Sequence, residues 1–235
     1  MSAGPIALVG SGEYLPVMQG LESELISGRN AKYVQIPTAA APEGESSLDY
    51  WVKLGQQQAQ RMGVAATPVV IRDRSDAESA SFADLIHGAG LIYLSGGNPS
   101  YLANTLRDTA SWKAIYDNWQ DGAALAGCSA GAMAIADHIP QLRPRWAEHT
   151  SGLGVLPHIR VLPHFDRMFA RIPDFFQRFM HVPAGVTIVG IDEETALVGG
   201  PTEWEVRGNK SVWILHDNTR TEYVAGSVVD TPLLA

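Results

Sequence analysis

The stretch AALAGCSAGAMAIA, residues 123–136, decides the fold, because it joins a short apolar run to a helical pattern through a turn of small residues. At its centre is the pentapeptide G-x-S-x-G, with Ser129 between Gly127 and Gly131. In a strand-to-helix turn of this kind the serine is strained, and flanking side chains larger than hydrogen would collide with the neighbouring strand and helix. The stretch therefore predicts a nucleophile elbow with Ser129 at its tip.

The residues on either side of Ser129 have different expected roles. The amide of Ala130 is free to stabilise an oxyanion in such a turn. Cys128 is one position away from the nucleophile and is expected to face the core as a small apolar side chain. The alternative is that these small residues only allow a helix to pack closely against a strand.

Outward from the elbow, further short runs are apolar on both faces, as buried parallel strands are. Amphipathic helical patterns separate them, most clearly over residues 46–63 and 100–119. This alternation predicts an α/β fold, in which a mostly parallel sheet is covered by helices on both faces. The apolar runs are residues 5–10, 32–37, 67–72, 90–97 and 123–128.

The pattern changes after residue 185. Residues 186–200 and 204–215 are strand-like, and the tight turn RGNK at 207–210 is typical of a β-hairpin. We therefore expect antiparallel C-terminal strands that finish the same sheet. With no internal repeat or linker in the sequence, residues 1–235 are expected to form a single domain.

Composition limits the function classes. The chain has 235 residues, 46% of them hydrophobic, so it can bury a sizeable core. Its net charge of −8, without a block of Lys or Arg, argues against a nucleic-acid or anionic-membrane partner. The single Cys128 excludes an intrachain disulfide, and no apolar run approaches the ~18 residues of a membrane span. A cytoplasmic protein is expected.

Two further glycine turns follow predicted strands. GSGE at 10–13 lacks the third glycine of a dinucleotide fingerprint, since Leu15 stands there, so it predicts a tight turn. In SGGNPSYL at 95–102, Pro99 fits the first turn of a helix. The amides of Gly96 and Gly97 can then point beyond the strand end, and the pattern is equally consistent with a structural turn and with an oxyanion cradle.

A nucleophilic serine needs a base and an acid. Of seven histidines, His164 and His216 end strand-like runs, and no HExxH motif or cysteine pair indicates a metal site. Acidic residues 192–194 lie where a strand reaches the same edge of the sheet. Alternation places Glu193 on one face of that strand and its two neighbours on the other, but it does not choose between the faces.

Four segments resemble, in order and spacing, the serine peptidases typified by cyanophycinase and aspartyl dipeptidase, relatives of the class I glutamine amidotransferases. The resemblance implies a three-layer α/β/α sandwich whose mostly parallel sheet has antiparallel C-terminal strands. It also implies a small acidic-peptide substrate, no cofactor and a homodimer. The segments are SGGNPSYL (95–102), GCSAGAM (127–133), LPHFDRM (162–168) and GIDEETAL (190–197).

The same resemblance assigns the site residue by residue. It implies that Ser129 is the nucleophile, that His164 is its general base and that Glu193 is the acid orienting that base. It further implies that the amides of Gly97 and Ala130 form the oxyanion hole.

Substrate recognition is expected to use local groups, because a net charge of −8 does not attract an acidic peptide. Asn98 is a candidate substrate-binding residue, and Arg167 and Arg171 could present guanidinium groups to a carboxylate. Solvation of these arginines, or pairing with Asp166 and Asp174, is the equally weighted alternative.

The chain departs from the family pattern where substrate choice is concerned. Pro99 replaces the glutamine usual in cyanophycinase-like sequences and the threonine preferred in aspartyl dipeptidases, and Leu162 and Pro163 replace an Asp-Gln pair. The catalytic machinery therefore transfers better than the identity of the substrate.

Three functions remain open from the sequence. The first is a serine dipeptidase or exopeptidase acting next to aspartyl or isoaspartyl residues. The second is an α/β-hydrolase esterase, in which Ser129, Asp192 and His216 follow that fold's chain order of serine, acid and histidine. The third is a non-catalytic amidotransferase-like binding module.

Overall fold

The computed structural model describes residues 2–139, 150–168, 182–216 and 219–233. Within these ranges an eight-stranded mixed sheet carries helices on both faces, which confirms the predicted α/β class. The strand order across the sheet is β14 (Val228–Asp230), β11 (Glu203–Gly208), β10 (Thr195–Gly199), β1 (Ile6–Val9), β5 (Ala124–Cys128), β4 (Leu91–Leu94), β2 (Lys32–Ile36) and β3 (Ala65–Pro68).

Strand directions divide the sheet into two parts. Neighbours are parallel from β1 through β5, β4 and β2 to β3, whereas β10, β11 and β14 extend the β1 edge by antiparallel pairing. The predicted parallel sheet with antiparallel C-terminal strands is confirmed in this respect. The predicted strand at 67–72 was placed too far along the chain, since β3 ends at Pro68.

The sequence predicted that the C-terminal strands finish the main sheet, but some of them form a second sheet instead. A second, four-stranded sheet has the order β13 (Thr219–Val224), β12 (Ser211–His216), β9 (Thr187–Ile191) and β8 (Ile159–Leu162). Here β8 and β9 are parallel, and the other neighbours are antiparallel. A short pair, β6 (His138–Ile139) and β7 (Thr150–Ser151), lies apart from both sheets.

The predicted RGNK hairpin was wrong. β10 and β14 already occupy both edges of β11, so the chain cannot turn back to pair β12 with it. Instead Asn209 and Lys210 carry the chain from the main sheet to the second one. Gly208 suits this crossing, because it has φ 111° and a Cβ there would lie 2.3 Å from the Glu194 carbonyl oxygen.

Eight α-helices lie within the described ranges, besides 3-10 turns at Pro16–Met18 and Thr38–Glu43. The pattern over 100–119 is two helices, because the chain breaks at Asp108 (φ 60°) and the Thr109 hydroxyl caps the next helix at the Trp112 amide. None of the described helices is long and apolar enough to cross a membrane. The helices are α1 (Gln19–Ile26), α2 (Glu45–Met62), α3 (Arg74–Glu78), α4 (Ala80–Ile86), α5 (Pro99–Leu106), α6 (Ala110–Gln120), α7 (Ala130–Ile135) and α8 (Phe165–Met168).

The main sheet is buried on both faces, which explains its continuous apolar runs. In β1, Ile6 and Leu8 join a core with residues of α4 to α7, whereas Ala7 and Val9 join a second core with residues of α1 and α2. Successive side chains of a strand point to opposite faces, so each residue of β1 must be apolar.

The two sheets meet where β1 and β9 end. The Glu194 amide donates to the Ser11 carbonyl oxygen at 3.2 Å, and a Cβ on Gly10 would lie 2.1 Å from the carbonyl oxygen of Asp192. The residues after β9 are thereby brought to the edge where the parallel strands β1, β4 and β5 end. In open α/β sheets this edge is where ligands bind.

Candidate active site

Ser129 lies at a sharp turn between β5 and α7, as predicted. Its backbone has φ 50° and ψ −105°, a strained conformation for a residue with a side chain, and its amide donates to the Val9 carbonyl oxygen at 2.9 Å. A Cβ on Gly127 would lie 2.5 Å from the Gly131 carbonyl carbon, and one on Gly131 would lie 2.1 Å from the Leu94 carbonyl oxygen. The steric reason inferred for both glycines is confirmed, and Ser129 itself remains partly exposed.

A chain of three polar side chains starts at this serine. Nε2 of His164, two residues past the end of β8, lies 3.1 Å from the Ser129 Oγ, and its Nδ1 lies 3.1 Å from Oε1 of Glu193. With the imidazole neutral, Nδ1–H can donate to the carboxylate while Nε2 accepts from the serine hydroxyl. This arrangement allows the imidazole to take the serine proton as the hydroxyl oxygen attacks a carbonyl.

The three acidic residues 192–194 lie in the turn between β9 and β10, so the predicted strand alternation does not apply to them, and each has a different partner. Asp192 faces β12, where its carboxylate accepts from the Ser211 amide at 3.3 Å and from Trp213 Nε1 at 3.1 Å, and burial raises its pKa. The Glu194 carboxylate accepts from the Asn209 side-chain amide at 3.1 Å. Glu193 is thus the member of this group that contacts His164, whereas the Asp192 of the esterase alternative is bound to backbone and indole.

Arg167 contacts the same glutamate. Its Nε lies 2.7 Å from Oε2 of Glu193, with 73% of the arginine side chain exposed against 19% of the glutamate. The alternative pairing with Asp166 is not what the structure shows, since that carboxylate binds Lys210 Nζ at 2.6 Å and accepts from the Glu193 amide at 3.1 Å. Partial burial opposes ionisation of Asp166, but these two hydrogen bonds hold its pKa below the usual value. Arg171 and Asp174 lie outside the described residues.

The turn after β4 presents a backbone amide near the serine. Within the described part of the chain, the Gly97 amide has no protein acceptor, although Ser95, Gly96 and Asn98 each donate to one. Gly97 has φ 136°, and a Cβ there would lie 2.3 Å from the Ala39 carbonyl oxygen, so glycine fits this exposed position. A Cβ on Gly96 would lie 3.7 Å from that of Ser129, which places the turn beside the elbow.

Ala130 and Asn98 begin helices. Ala130 is the first residue of α7, where the backbone amide has no acceptor within the helix and is available to another group. The Asn98 side-chain oxygen accepts from the Tyr101 amide at 3.0 Å, so it caps α5, and Pro99 takes the first helical position as predicted. A role of Asn98 in substrate binding stays a prediction.

Sequence reasoning missed Glu13. It lies in the GSGE turn and is 6% exposed. Its carboxylate accepts hydrogen bonds from the Gly96 amide and from the Cys128 thiol. Cys128 is fully buried, as predicted, but it is also a hydrogen-bond donor. The sequence signal was a charged residue in a turn between a buried strand and small residues, which by itself does not indicate a partner.

Comparison with known proteins identifies the family of the chain. A model of peptidase family S51 matches residues 6–204. Cyanophycinases from Trichormus variabilis and Geminocystis herdmanii are 26% and 27% identical over 199 and 154 residues, covering 80% and 62% of this chain. These alignments cover 65% and 56% of the relatives, so the chain spans less than two thirds of the length of the curated proteins it matches.

Solved structures show the same fold. A crystal structure of a peptidase from an acI-B1 Actinobacterium is 42% identical, with a TM-score of 0.89 over 97% of each chain. A candidate peptidase E from Listeria monocytogenes is 19% identical, with a TM-score of 0.65 over 89% of this chain and 100% of the other, and this second likeness concerns the fold alone.

Proposed function

Because the chain belongs to peptidase family S51, we propose that it is a serine peptidase that hydrolyses small peptides next to aspartyl or isoaspartyl residues. The observation that carries the proposal is the hydrogen-bonded series from Ser129 Oγ through His164 to Glu193, at a partly exposed elbow. Beside it lies the Gly97 amide, which has no acceptor among the residues that the structure describes. Nucleophile, base and orienting acid within hydrogen-bond reach are what acyl transfer requires.

In this mechanism the Ser129 Oγ attacks the peptide carbonyl carbon while His164 Nε2 takes the hydroxyl proton. The tetrahedral intermediate carries its negative charge on the former carbonyl oxygen, which accepts hydrogen bonds from the Gly97 and Ala130 amides. The intermediate collapses when the C–N bond breaks, and His164 gives its proton to the departing amine. Water, deprotonated by the same imidazole, then attacks the carbonyl carbon of the acyl ester. As the bond from that carbon to Ser129 Oγ breaks, the imidazolium returns the proton to Oγ, which regenerates the serine and the neutral base.

Glu193 orients the base in this proposal. Its Oε1 accepts from the imidazole Nδ1–H at 3.1 Å, which fixes the tautomer that leaves Nε2 free to accept from Ser129. As the imidazole becomes positively charged, the ionised carboxylate stabilises it without itself taking the proton.

An acidic substrate is supported by the cations at the mouth of the site. Arg167 is largely exposed beside Glu193, and Lys210 is tied to Asp166 next to it, in a chain whose net charge is −8. A substrate carboxylate can bind the outward face of the Arg167 guanidinium, which has five donors, while Nε keeps its contact with Glu193. Arg171 and Asn98 complete the recognition set that we propose.

The test is hydrolysis by the purified protein of aspartyl and isoaspartyl dipeptides, with neutral dipeptides and p-nitrophenyl esters as comparisons and Ser129→Ala as the blank. We expect Ser129-dependent cleavage of the acidic dipeptides to exceed that of the neutral ones. Preference for the esters would favour the esterase, and no labelling of Ser129 by a fluorophosphonate would favour a non-catalytic binding module. Light scattering during size-exclusion chromatography tests the homodimer that belongs to the same proposal.

A further inference from the structure

The Glu13 carboxylate bridges the two chain segments that build the proposed site. Its Oε1 accepts from the Gly96 amide at 2.8 Å, across 83 residues, and its Oε2 accepts from the Cys128 thiol at 2.7 Å, across 115 residues. Gly96 directly precedes Gly97, and Cys128 directly precedes Ser129. One buried side chain thus contacts the neighbour of the oxyanion amide and the neighbour of the nucleophile.

We propose that Glu13 is a positioning residue, which sets the distance between the Gly97 amide and Ser129 and thereby the strength of the oxyanion hole. The proposal rests on the serine peptidase function above, because an oxyanion hole matters only if Ser129 forms a tetrahedral intermediate. Glu13 acts through the two residues that it binds, Gly96 and Cys128, and not as a member of the catalytic series.

The physical basis is that a buried carboxylate is costly unless its oxygens are hydrogen-bonded. The amide of Gly96 and the thiol of Cys128 supply these bonds, and hydrogen bonds to a carboxylate are stronger than neutral ones. Burial, with the nearby Glu13 charge, raises the Cys128 pKa well above its usual value, so the thiol keeps the proton that it donates. The position of Glu13 is therefore coupled to both segments.

The contact also leaves little space for displacement. A Cβ on Gly96 would lie 2.7 Å from Glu13 Oε1, so the backbone of the turn sits directly against the carboxylate. Tyr14, the next residue, adds a second contact through its hydroxyl, 2.8 Å from the Ser95 Oγ. A displacement of about 1 Å in such a site can cost on the order of 10²-fold in rate, so this packing has a catalytic consequence.

The experiment measures the second-order rate constant for labelling of Ser129 by a fluorophosphonate, whose phosphoryl oxygen must enter the oxyanion hole. This readout needs no knowledge of the peptide substrate. We expect Glu13→Ala to lower the rate constant about ten- to a hundredfold, less than the loss of an oxyanion donor itself. Far-UV circular dichroism and the Tm establish that the variant is folded.

Glu13→Gln tests the same bridge if the alanine variant does not fold. The glutamine oxygen still accepts from the Gly96 amide, but its NH₂ group cannot accept from the Cys128 thiol, and we expect an approximately tenfold loss. Adding Cys128→Ser supplies a hydroxyl oxygen that accepts from this NH₂. The double variant should recover to within about threefold of wild type, which a general loss of stability does not predict.

Tyr33→Phe is the matched control. It removes a hydrogen bond of 2.7 Å to the buried Glu22 in the same apolar core and leaves the hydrogen bonds of Glu13 to Gly96 and Cys128 in place. It should lower the Tm and leave the labelling rate within about twofold of wild type. Folded Glu13 variants that label at the wild-type rate, or an equal loss in Tyr33→Phe, would overturn the positioning role alone. Failure of wild type to label, compared with Ser129→Ala, would overturn the peptidase proposal and this inference together.

Discussion

Arg167 and Glu193 form an ion pair of 2.7 Å, between the arginine Nε and the glutamate Oε2. The other carboxylate oxygen of Glu193 lies 3.1 Å from His164 Nδ1, so one glutamate contacts both a surface cation and the proposed base. The pair therefore connects the group proposed to bind an acidic substrate with the group proposed to orient the catalytic imidazole.

Replacing Arg167 with Met should raise KM for aspartyl dipeptides about tenfold and change KM for neutral dipeptides less than twofold, because only the former offer a carboxylate to the guanidinium. Steady-state kinetics with aspartyl and neutral dipeptides would measure this difference in KM.

Arg207→Met is the control for this substitution. Arg207 is also paired with a glutamate, Glu24, but on the main sheet. It should leave KM for both acidic and neutral dipeptides unchanged. Equal changes in KM for acidic and neutral dipeptides in Arg167→Met would show that the arginine has a structural role only.

The strain at Ser129 predicts a separation of stability from activity. With φ 50° and ψ −105°, this backbone costs a residue with a side chain about 1–3 kcal/mol, which glycine largely avoids. Ser129→Gly should therefore unfold with a free energy at least about 1 kcal/mol higher than Ser129→Ala, while both lose several orders of magnitude in kcat. Urea unfolding of the two variants measures the difference, and equal stabilities would contradict the strain.

Local geometry explains what could be predicted from the sequence. The spacing of Gly127 and Gly131 about Ser129 reflects close backbone contacts within one turn and with the neighbouring strand β4. Glu193 was chosen from the three acidic residues by the family resemblance, because strand alternation did not select a face. The second sheet could not be predicted in this way, because the residues of β9 and β12 indicate strands but do not indicate which sheet these strands join. Whether β11 has a free edge depends on where β10 and β14 lie.

The missed contacts of the site are long-range in the same sense. Glu13 meets Cys128 across 115 residues, and Arg167 meets Glu193 from a different strand end. The types of residue present did not predict either pairing. For Arg167, the sequence offered Asp166 as an equally suitable partner. In the structure Asp166 forms an ion pair with Lys210, and Arg167 forms one with Glu193.

The acidic residues after β9 should respond differently to loss of charge. Glu193→Gln keeps the side-chain volume but presents a weaker partner to His164, so kcat should fall about 10²–10⁴-fold with little change in Tm. Asp192→Asn should instead lower the Tm, because the Asp192 carboxylate accepts from both Ser211 and Trp213, and should keep kcat within about tenfold. Kinetics and thermal unfolding of the two variants measure this contrast. Full turnover in Glu193→Gln with loss in Asp192→Asn would assign the acid to Asp192 and favour the esterase.

Buried Glu22 should make the stability of the protein depend on pH. It is 1% exposed, and burial raises its pKa from 4.5 to about 7, although hydrogen bonds from Tyr33 and Tyr14 oppose the shift. Between these two values the unfolded chain has released the Glu22 proton and the folded chain still holds it. The unfolded state then binds fewer protons, so this contribution to stability is complete below about pH 4.5 and declines as the pH rises through about 7.

The decline from Glu22 amounts to at most about 3.5 kcal/mol, at about 1.4 kcal/mol for each of the 2.5 units between 4.5 and about 7. Glu22→Gln cannot titrate, yet its amide oxygen can still accept from the Tyr33 hydroxyl, so the variant should gain stability over wild type as the pH rises from 4.5 to 8. Urea unfolding across this range measures the gain as a difference between the two proteins, in which the titration of all other groups cancels. Glu78→Gln, on an exposed glutamate paired with Arg74, should run parallel to wild type at every pH. A Glu22→Gln curve that also stays parallel to wild type would show that Glu22 is already ionised in the folded protein at pH 4.5, and that the Tyr33 hydrogen bond outweighs its burial.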